Sequence, residues 1–249
     1  AILGSYYGKE LARAQAEGRI RPTLQVEEGV PVHTAWDLGV GDTMAIWFWQ
    51  AVPGDRGKGK VLVVDYYEAQ GYGIGHYADV IKEKARERDY ERGIDFVPHD
   101  ARVREQGSWG PDGRAKQRVE VMKEQGLNPK VVKQHKVDDG ISAVRQVLPR
   151  CIFDEGRTGA KGIEALIQYQ REWDDDKKTF RDLPLHNWAS HAADAKRTLA
   201  MVYREVVIAP VPDKDRVLVI GGEENVPENL AGVTLNDLWK ARRPARRRL

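Results

Sequence analysis

The segment from residue 32 to residue 69 constrains the fold most, because it carries three β-strand patterns in close succession. Residues 32–37, VHTAWD, predict a short strand, and residues 43–52, TMAIWFWQAV, form a long aromatic and β-branched run typical of a central strand. A polar turn, PGDRGKGK, separates this run from a third strand pattern, VLVVDYYEA, at 61–69. Short turns between successive strands favour antiparallel pairing, so we expect a three-stranded meander.

The rest of the chain alternates between helix and strand patterns. Apolar residues recur at helical spacing from Ile74 to Ala85, and a strand pattern follows at 94–98. Beyond a glycine-rich loop at 107–113, we expect a helix near 115–125, a strand at 130–133, and helices at 138–149, 162–173 and 191–205. This order predicts an α/β fold with a mixed sheet, antiparallel in its first three strands and parallel afterwards, flanked by helices.

Length and composition exclude several classes of protein. The 249 residues, 41% of them hydrophobic, suffice for the core of one large domain or two small ones. The sequence contains no run of about 18 apolar residues, so no membrane partner is expected. Its first residues show no signal-peptide pattern. Cys151 is the single cysteine, which excludes a disulfide scaffold or a cysteine-built zinc site and fits a reducing cytoplasm.

The net charge of +2 conceals a basic C-terminal tail. Six of the 40 lysine and arginine residues lie in the last ten positions, 240–249, which contain no acid. The rest of the chain has 34 basic and 38 acidic residues, so it is net acidic. The tail is typical of an arm for phosphate or an acidic partner, or simply of a solvated terminus.

Three acidic residues stand where an α/β sheet gathers functional side chains. Asp37 ends the first strand pattern, and Asp100 ends the fourth. If these two strands are neighbours, the two carboxylates lie side by side, and their repulsion requires a cation or a proton between them. Asp194 is the best candidate for a third acid, because alanines flank it on a helix that could approach the sheet closely. Hard oxygen ligands of this kind suit Mg²⁺ or Mn²⁺.

Each of these acids also has a purely structural interpretation. Asp37 could be a turn residue, Asp100 a loop hydrogen-bonder and Asp194 an acid that complements a helix dipole. The case for a metal site rests on the three together.

Several neighbours of these acids could support them. Asp42, a turn residue, and Lys196 could lie just outside the metal ligands and contact them, and His99 and His191 could orient phosphate or water. Asp65 and Glu68 lie on the third strand, and the sequence does not decide whether they face the site or the solvent.

One segment resembles a phosphate-binding P-loop without meeting its requirements. Residues 54–60, GDRGKGK, match part of a P-loop, but Val61 stands where the magnesium-binding hydroxyl belongs. A strand pattern follows instead of the helix that would present its N–H groups to phosphate, so we interpret the segment as a hairpin turn.

Taken together, these residues resemble the nuclease domain of the large terminase subunit of tailed bacteriophages. The likeness is carried by HTAWDLGVGDTMAIWFWQ, PHDAR and HNWASHAADAKRTL, and it extends to about Glu205. The opening YYGKELARAQAEGRI is similar to the segment that joins the ATPase of that family to its nuclease. We therefore expect a linker helix at 1–30, a nuclease domain at 31–205 and a C-terminal region at 206–249.

The resemblance implies an RNase H-like fold and a metal-dependent endonuclease that cuts concatemeric viral DNA during genome packaging. The acidic triad of the family maps onto Asp37, Asp100 and Asp194, with Asp37 bridging two Mg²⁺ or Mn²⁺ ions. The expected partners are double-stranded DNA, the portal protein, the terminase small subunit and an upstream ATPase domain, in the cytoplasm of the infected bacterium. No ATPase activity is expected of this chain.

DNA affinity in such an enzyme should come from phosphate contacts, so it should depend on salt and little on sequence. The candidates for these contacts are Arg102, Arg104, Lys116 and Arg197.

Two other functions remain open from sequence. A Holliday-junction resolvase or a transposase uses acids at similar places of the same fold, and would be distinguished by its substrate. A non-catalytic module that docks on DNA or on the portal would cleave nothing with any metal.

Overall fold

The computed structural model describes residues 2–39, 42–53 and 59–208, and the side chains within these ranges except at 105–108 and 204–208. The expectations for the basic tail, and for 206–249 beyond residue 208, lie outside the described residues. The same holds for most of the GDRGKGK segment. Lys60 begins a strand, however, as expected for a turn between strands.

A seven-stranded sheet forms the centre of the fold. Its strands, in sequence order, are β1 Ile20–Arg21, β2 Val32–Asp37, β3 Thr43–Val52, β4 Lys60–Gln70, β5 Arg92–Val97, β8 Pro129–Val131 and β9 Cys151–Asp154. They lie side by side in the order β1-β9-β4-β3-β2-β5-β8. Only β3 runs against its neighbours, and all other pairings in this sheet are parallel. The predicted mixed sheet, with its meander of β2, β3 and β4, is therefore confirmed.

Two small hairpins stand apart from this sheet in the described part of the chain. They are formed by β6 Arg104–Trp109 with β7 Ala115–Gln117, and by β10 Arg171–Asp174 with β11 Thr179–Pro184. The glycine-rich loop predicted at 107–113 lies within the β6–β7 hairpin.

Within the described ranges, seven α-helices flank the strands. They are α1 Gly8–Ala16, α2 Ile74–Glu87, α3 Arg118–Glu124, α4 Val137–Val147, α5 Glu155–Thr158, α6 Glu164–Gln168 and α7 Ala189–Ile208.

The prediction of one helix over 162–173 is wrong at its end. Helix α6 stops at Gln168, and Tyr169 adopts an extended conformation with its ring buried against Tyr6 and Tyr7. The chain then enters β10, where Trp173 packs on Phe180 of β11. Burial of these aromatic rings outweighs the helical spacing of the preceding apolar residues.

Both faces of the sheet are covered, which explains the continuous apolar runs in its strands. Successive side chains point to opposite faces, so Ala35 and Trp47 join the core under α1, α4, α6 and α7. Their neighbours Trp36 and Phe48 join the core under α2 and α3. All four residues are fully buried.

No helix within the described ranges is both long and apolar enough to cross a lipid bilayer.

Candidate active site

The carboxyl end of β2 places Asp37 at one edge of the sheet. β2 pairs in parallel with β5, so the ends of the first and fourth predicted strands are neighbours, as expected. Asp37 follows Ala35 by two positions and therefore faces the same side of the sheet as α7. The turn after it is tight, since a Cβ atom at Gly39 would collide with the carbonyl oxygen of Thr43.

Asp100 lies just beyond β5 and not within it. The strand ends at Val97, and a single 3₁₀ turn from His99 to Arg102 carries Asp100. Its Oδ1 atom is buried and, within the described part of the chain, has no hydrogen-bond partner. Leaving a buried carboxylate oxygen without a partner is costly, so this oxygen is suited to a ligand.

Helix α7 brings Asp194 over the same edge because its inner face is small. Ala192 and Ala193 are fully buried, and the indole Nε1 of Trp47 on β3 donates a hydrogen bond to the carbonyl of Ala192 at 2.8 Å. The close approach predicted from the alanines is thus present in the fold. Without a bulky side chain at these positions, the helix can lie directly on the sheet.

His191 links two of the predicted acids. Its Nδ1 lies 3.1 Å from Oδ2 of Asp37, and its Nε2 lies 3.5 Å from Oδ2 of Asp42. An ionised carboxylate only accepts hydrogen bonds, so Nδ1 carries the proton in this contact. The hydrogen bond to Asp37 is the main reason that the pKa of His191 is raised. The structure therefore brings His191 and Asp42 to the site.

The three acids influence one another electrostatically, with Asp37 as the common neighbour. Burial raises the pKa of Asp194 to about 6, and the charge of Asp37 adds to this effect. The pKa of Asp100 is also raised, first by burial and further by Asp37. A cation among these groups would stabilise their ionised forms.

Two arginines that the sequence did not pair with these acids oppose the shifts, Arg197 being predicted only as a DNA contact. Arg197 Nη1 lies 2.5 Å from Asp194, and the charge of Arg118 lowers the pKa of Asp100. The only sequence signal for the first was its spacing three residues after Asp194 on a helix, which places two side chains on one face. Arg118 is 5% exposed and begins α3, and no local pattern marked it.

Basic side chains of the protein pair with two of the three acids. Among the described residues, no three histidine, cysteine, aspartate or glutamate side chains gather closely enough to hold a metal ion. Asp37 is paired with His191 and Asp194 with Arg197. The donor set still fits a hard divalent ion, because it offers carboxylates that destabilise one another and a buried oxygen of Asp100.

Lys196 does not join the carboxylates. Its side chain is fully buried, and its Nζ lies 4.9 Å from the ring centre of Trp47 and 4.8 Å from that of Phe153. Lys196 follows Asp194 by two residues, a spacing that turns it away from the face of α7 that carries the acid. It therefore packs in the core.

The predicted DNA-contacting residues have different surroundings. Arg102 and His99 are both exposed, and both lie on the 3₁₀ turn that carries Asp100. Arg104 donates to the carbonyl of Ala115 at 2.6 Å, and Lys116 pairs with Glu124 at 2.8 Å. Arg197 is committed to Asp194 and to the hydroxyl of Tyr169, which lies at 2.9 Å.

The structure also separates the two acids that the sequence left undecided. Asp65 is 3% exposed and pairs with Lys84 at 2.8 Å. Glu68 accepts a hydrogen bond from the hydroxyl of Tyr66 at 2.7 Å and lines a cavity together with His191. Glu68 therefore belongs to the surroundings of the site, whereas Asp65 does not.

No protein-family model matches the chain, and no curated protein matches it in sequence. Similar solved structures exist. The large terminase of a thermophilic bacteriophage, in complex with ADP, superposes with a TM-score of 0.53 and 16% identity, over 74% of this chain and 42% of that one. The P22 large terminase nuclease domain gives 0.51 and 16%, over 76% of this chain and 89% of that one.

The large terminase nuclease of the thermophilic phage G20c, with bound magnesium, gives a TM-score of 0.50 and 11% identity, over 82% of this chain and 99% of that one. These likenesses confirm the RNase H-like fold and the resemblance to terminase nuclease domains that the sequence predicted. The chain spans 42% of the length of the ADP-bound large terminase.

Proposed function

We propose that this chain is a metal-dependent endodeoxyribonuclease of a phage genome-packaging machine, which cuts concatemeric DNA by hydrolysing phosphodiester bonds. One observation carries the proposal: Asp37, Asp100 and Asp194 come from separate elements to one edge of an RNase H-like sheet. There burial raises the pKa values of Asp100 and Asp194, and the charge of Asp37 adds to both effects. Arg118 and Arg197 oppose these shifts without cancelling them, so both pKa values stay raised. Nuclease domains of large terminases share this fold.

The carboxylates of Asp37, Asp100 and Asp194 would hold two Mg²⁺ or Mn²⁺ ions. Bound divalent ions lower the pKa of water and offset the charge of a phosphodiester group. The protein itself would place the acids and set their charge. His191 orients Asp37 through its Nδ1–H, and Arg197 pairs with Asp194.

Arg118 and Arg102 have different roles around Asp100 in this scheme. Arg118 is buried and favours the ionised form of Asp100. Arg102 is exposed on the same 3₁₀ turn and can reach a DNA phosphate. Binding through phosphates makes affinity depend on salt and little on sequence.

The proposed partners are double-stranded DNA, the portal protein, the small terminase subunit and an ATPase domain of the same protein. One similar structure is a large terminase in complex with ADP, and this chain aligns with 42% of its length. We assign ATP hydrolysis to the remainder of such a protein, since GDRGKGK leads into a strand here. The location would be the cytoplasm of an infected bacterium.

Plasmid cleavage tests this proposal directly. The wild-type chain is incubated with supercoiled plasmid and Mn²⁺, Mg²⁺ or EDTA, beside Asp37→Ala and the control Glu83→Ala, an exposed acid on α2. We expect metal-dependent nicking and linearisation that falls by at least about 100-fold in Asp37→Ala and is unchanged in the control.

Three results would contradict the proposal. Equal cleavage by wild type and Asp37→Ala would reveal a contaminating nuclease. A wild-type chain that binds DNA and cuts nothing with any metal would be a docking module. A four-way junction cleaved in strong preference to duplex would assign the chain to the resolvases.

A further inference from the structure

A cavity of about 380 Å³ opens beside the candidate active site. Its lining includes Asp42, Glu68, His186, Trp188 and His191. His191 is the residue that contacts Asp37, so the cavity adjoins the carboxylates. A strand whose phosphate lies at Asp37 must pass close to this cavity.

Trp188 lies in an exposed position at this cavity. Its side chain is 52% exposed, whereas the tryptophans at 36, 47 and 49 are fully buried. Hydrogen bonds hold the backbone next to it: Ala189 N donates to Asn187 Oδ1 at 2.9 Å, and Ser190 N donates to the carbonyl of Asn187 at 2.9 Å. A half-exposed indole offers a large flat surface for binding.

The charges of the cavity select what can occupy it. Asp42 and Glu68 place two acidic side chains in its wall. Asp42 lies 3.5 Å from His191 Nε2, and Glu68 lies 3.5 Å from Lys161 Nζ, so both acids are paired with basic groups of the protein. Their oxygens can still accept hydrogen bonds from the amino groups of a nucleobase. An uncharged base with two flat faces therefore fits a wall of paired polar groups beside an exposed indole.

We infer that Trp188 is a positioning residue on which an unpaired nucleobase stacks, next to the phosphodiester held at Asp37. This inference rests on the proposed function. Because every base has a flat face, stacking on an indole tolerates any sequence. The nucleotide must leave its pairing partner to reach the indole, so DNA that is already open at this position should bind best.

Oligonucleotide binding tests the inference. Fluorescein-labelled DNA with a central unpaired bubble is titrated with wild type, Trp188→Ala and Trp188→Phe. Ca²⁺ replaces Mg²⁺, because it also takes oxygen ligands. Trp173→Ala is the control: Trp173 is 43% exposed and is not among the residues that line the cavity.

We expect Trp188→Ala to bind the bubble about fivefold more weakly or worse, and Trp188→Phe to recover most of the affinity. Trp173→Ala should bind as wild type does. A second bubble whose unpaired nucleotides lack their bases should abolish the difference between wild type and Trp188→Ala. Thermal unfolding of each variant verifies that it is folded.

Equal affinity of wild type and Trp188→Ala for the bubble would overturn the inference. So would a difference that persists on the base-free bubble, since Trp188 would then contact sugar. Plasmid cleavage by wild type separates the two proposals. If wild type cuts plasmid but Trp188→Ala binds the bubble as tightly as wild type does, the proposed function stands and only the stacking site is wrong.

Discussion

Two groups of carboxylates in this protein differ in how their charge is neutralised. The edge carboxylates are Asp37, Asp100 and Asp194, and the paired carboxylates are Asp65 and Asp154. The paired carboxylates are 3% and 2% exposed, and they lie among three cations of the same side of the molecule, Lys84, Arg88 and Arg157.

The hydrogen bonds of the paired carboxylates are nearly complete. Asp65 accepts from the backbone N–H of Tyr66 at 2.8 Å, from Lys84 at 2.8 Å and from Arg157 at 3.2 Å. Asp154 accepts from the backbone N–H groups of Leu24 and Arg157. At the edge, by contrast, one oxygen of Asp100 has no hydrogen-bond partner among the described residues. Burial, with a further contribution from the charge of Asp37, raises the pKa values of Asp100 and Asp194.

The difference separates acids that hold the fold together from acids available to a ligand. A buried acid whose two oxygens both accept hydrogen bonds, as those of Asp65 and Asp154 do, has little left to offer a metal. Among the described residues, Asp100 and Asp194 each keep a buried oxygen without a hydrogen-bond partner, although Arg197 lies beside Asp194. A buried acid beside another acid is less stable alone than it would be with a bound cation.

The largest effect is expected from removing a paired carboxylate. Asp65→Ala leaves Lys84 and Arg157 without their shared acid, and should lower the free energy of unfolding by about 3–5 kcal/mol. The control is Asp79→Ala, whose ion pair with Lys82 spans 3.5 Å at an 80% exposed acid and should cost less than about 1 kcal/mol. Urea unfolding of both variants measures this, and similar losses would show that the paired group has no special role.

A divalent metal should stabilise the protein through the edge carboxylates alone. At a Mg²⁺ concentration tenfold above its dissociation constant, the free energy of unfolding should rise by about 1.4 kcal/mol. The rise should vanish in Asp37→Ala and persist in Glu83→Ala, as followed by thermal unfolding with Mg²⁺ or EDTA. A rise that persists in Asp37→Ala would place the ion elsewhere.

The smallest effect is a gain of stability from Asp100→Asn. This change removes a partly buried charge next to Asp37 while keeping the shape of the side chain. Without metal, the free energy of unfolding should increase by about 1 kcal/mol, and plasmid cleavage should be lost. If chemical denaturation in EDTA instead shows a clear loss of stability, Asp100 belongs with the structural acids.

Local patterns in the sequence predicted the frame of the fold. The apolar runs of β2, β3 and β4 and the helical spacing from Ile74 onwards are local signals, and each gave its element within a few residues. The sequence patterns did not predict the short strands β1 and β9. Two to four residues such as Ile20–Arg21 carry no periodicity, and only pairing with a distant strand defines them.

The site divides in the same way. The sequence by itself determined which acids were candidates, because strand ends, turns and a helix of small residues are all recognised from residues adjacent in sequence. Only the tertiary structure decided their partners: that His191 turns to Asp37, that Arg118 lies by Asp100, and that Lys196 packs between Trp47 and Phe153. Charge and burial depend on residues far apart in the chain, so the balance between a paired acid and an available one is set by the fold as a whole.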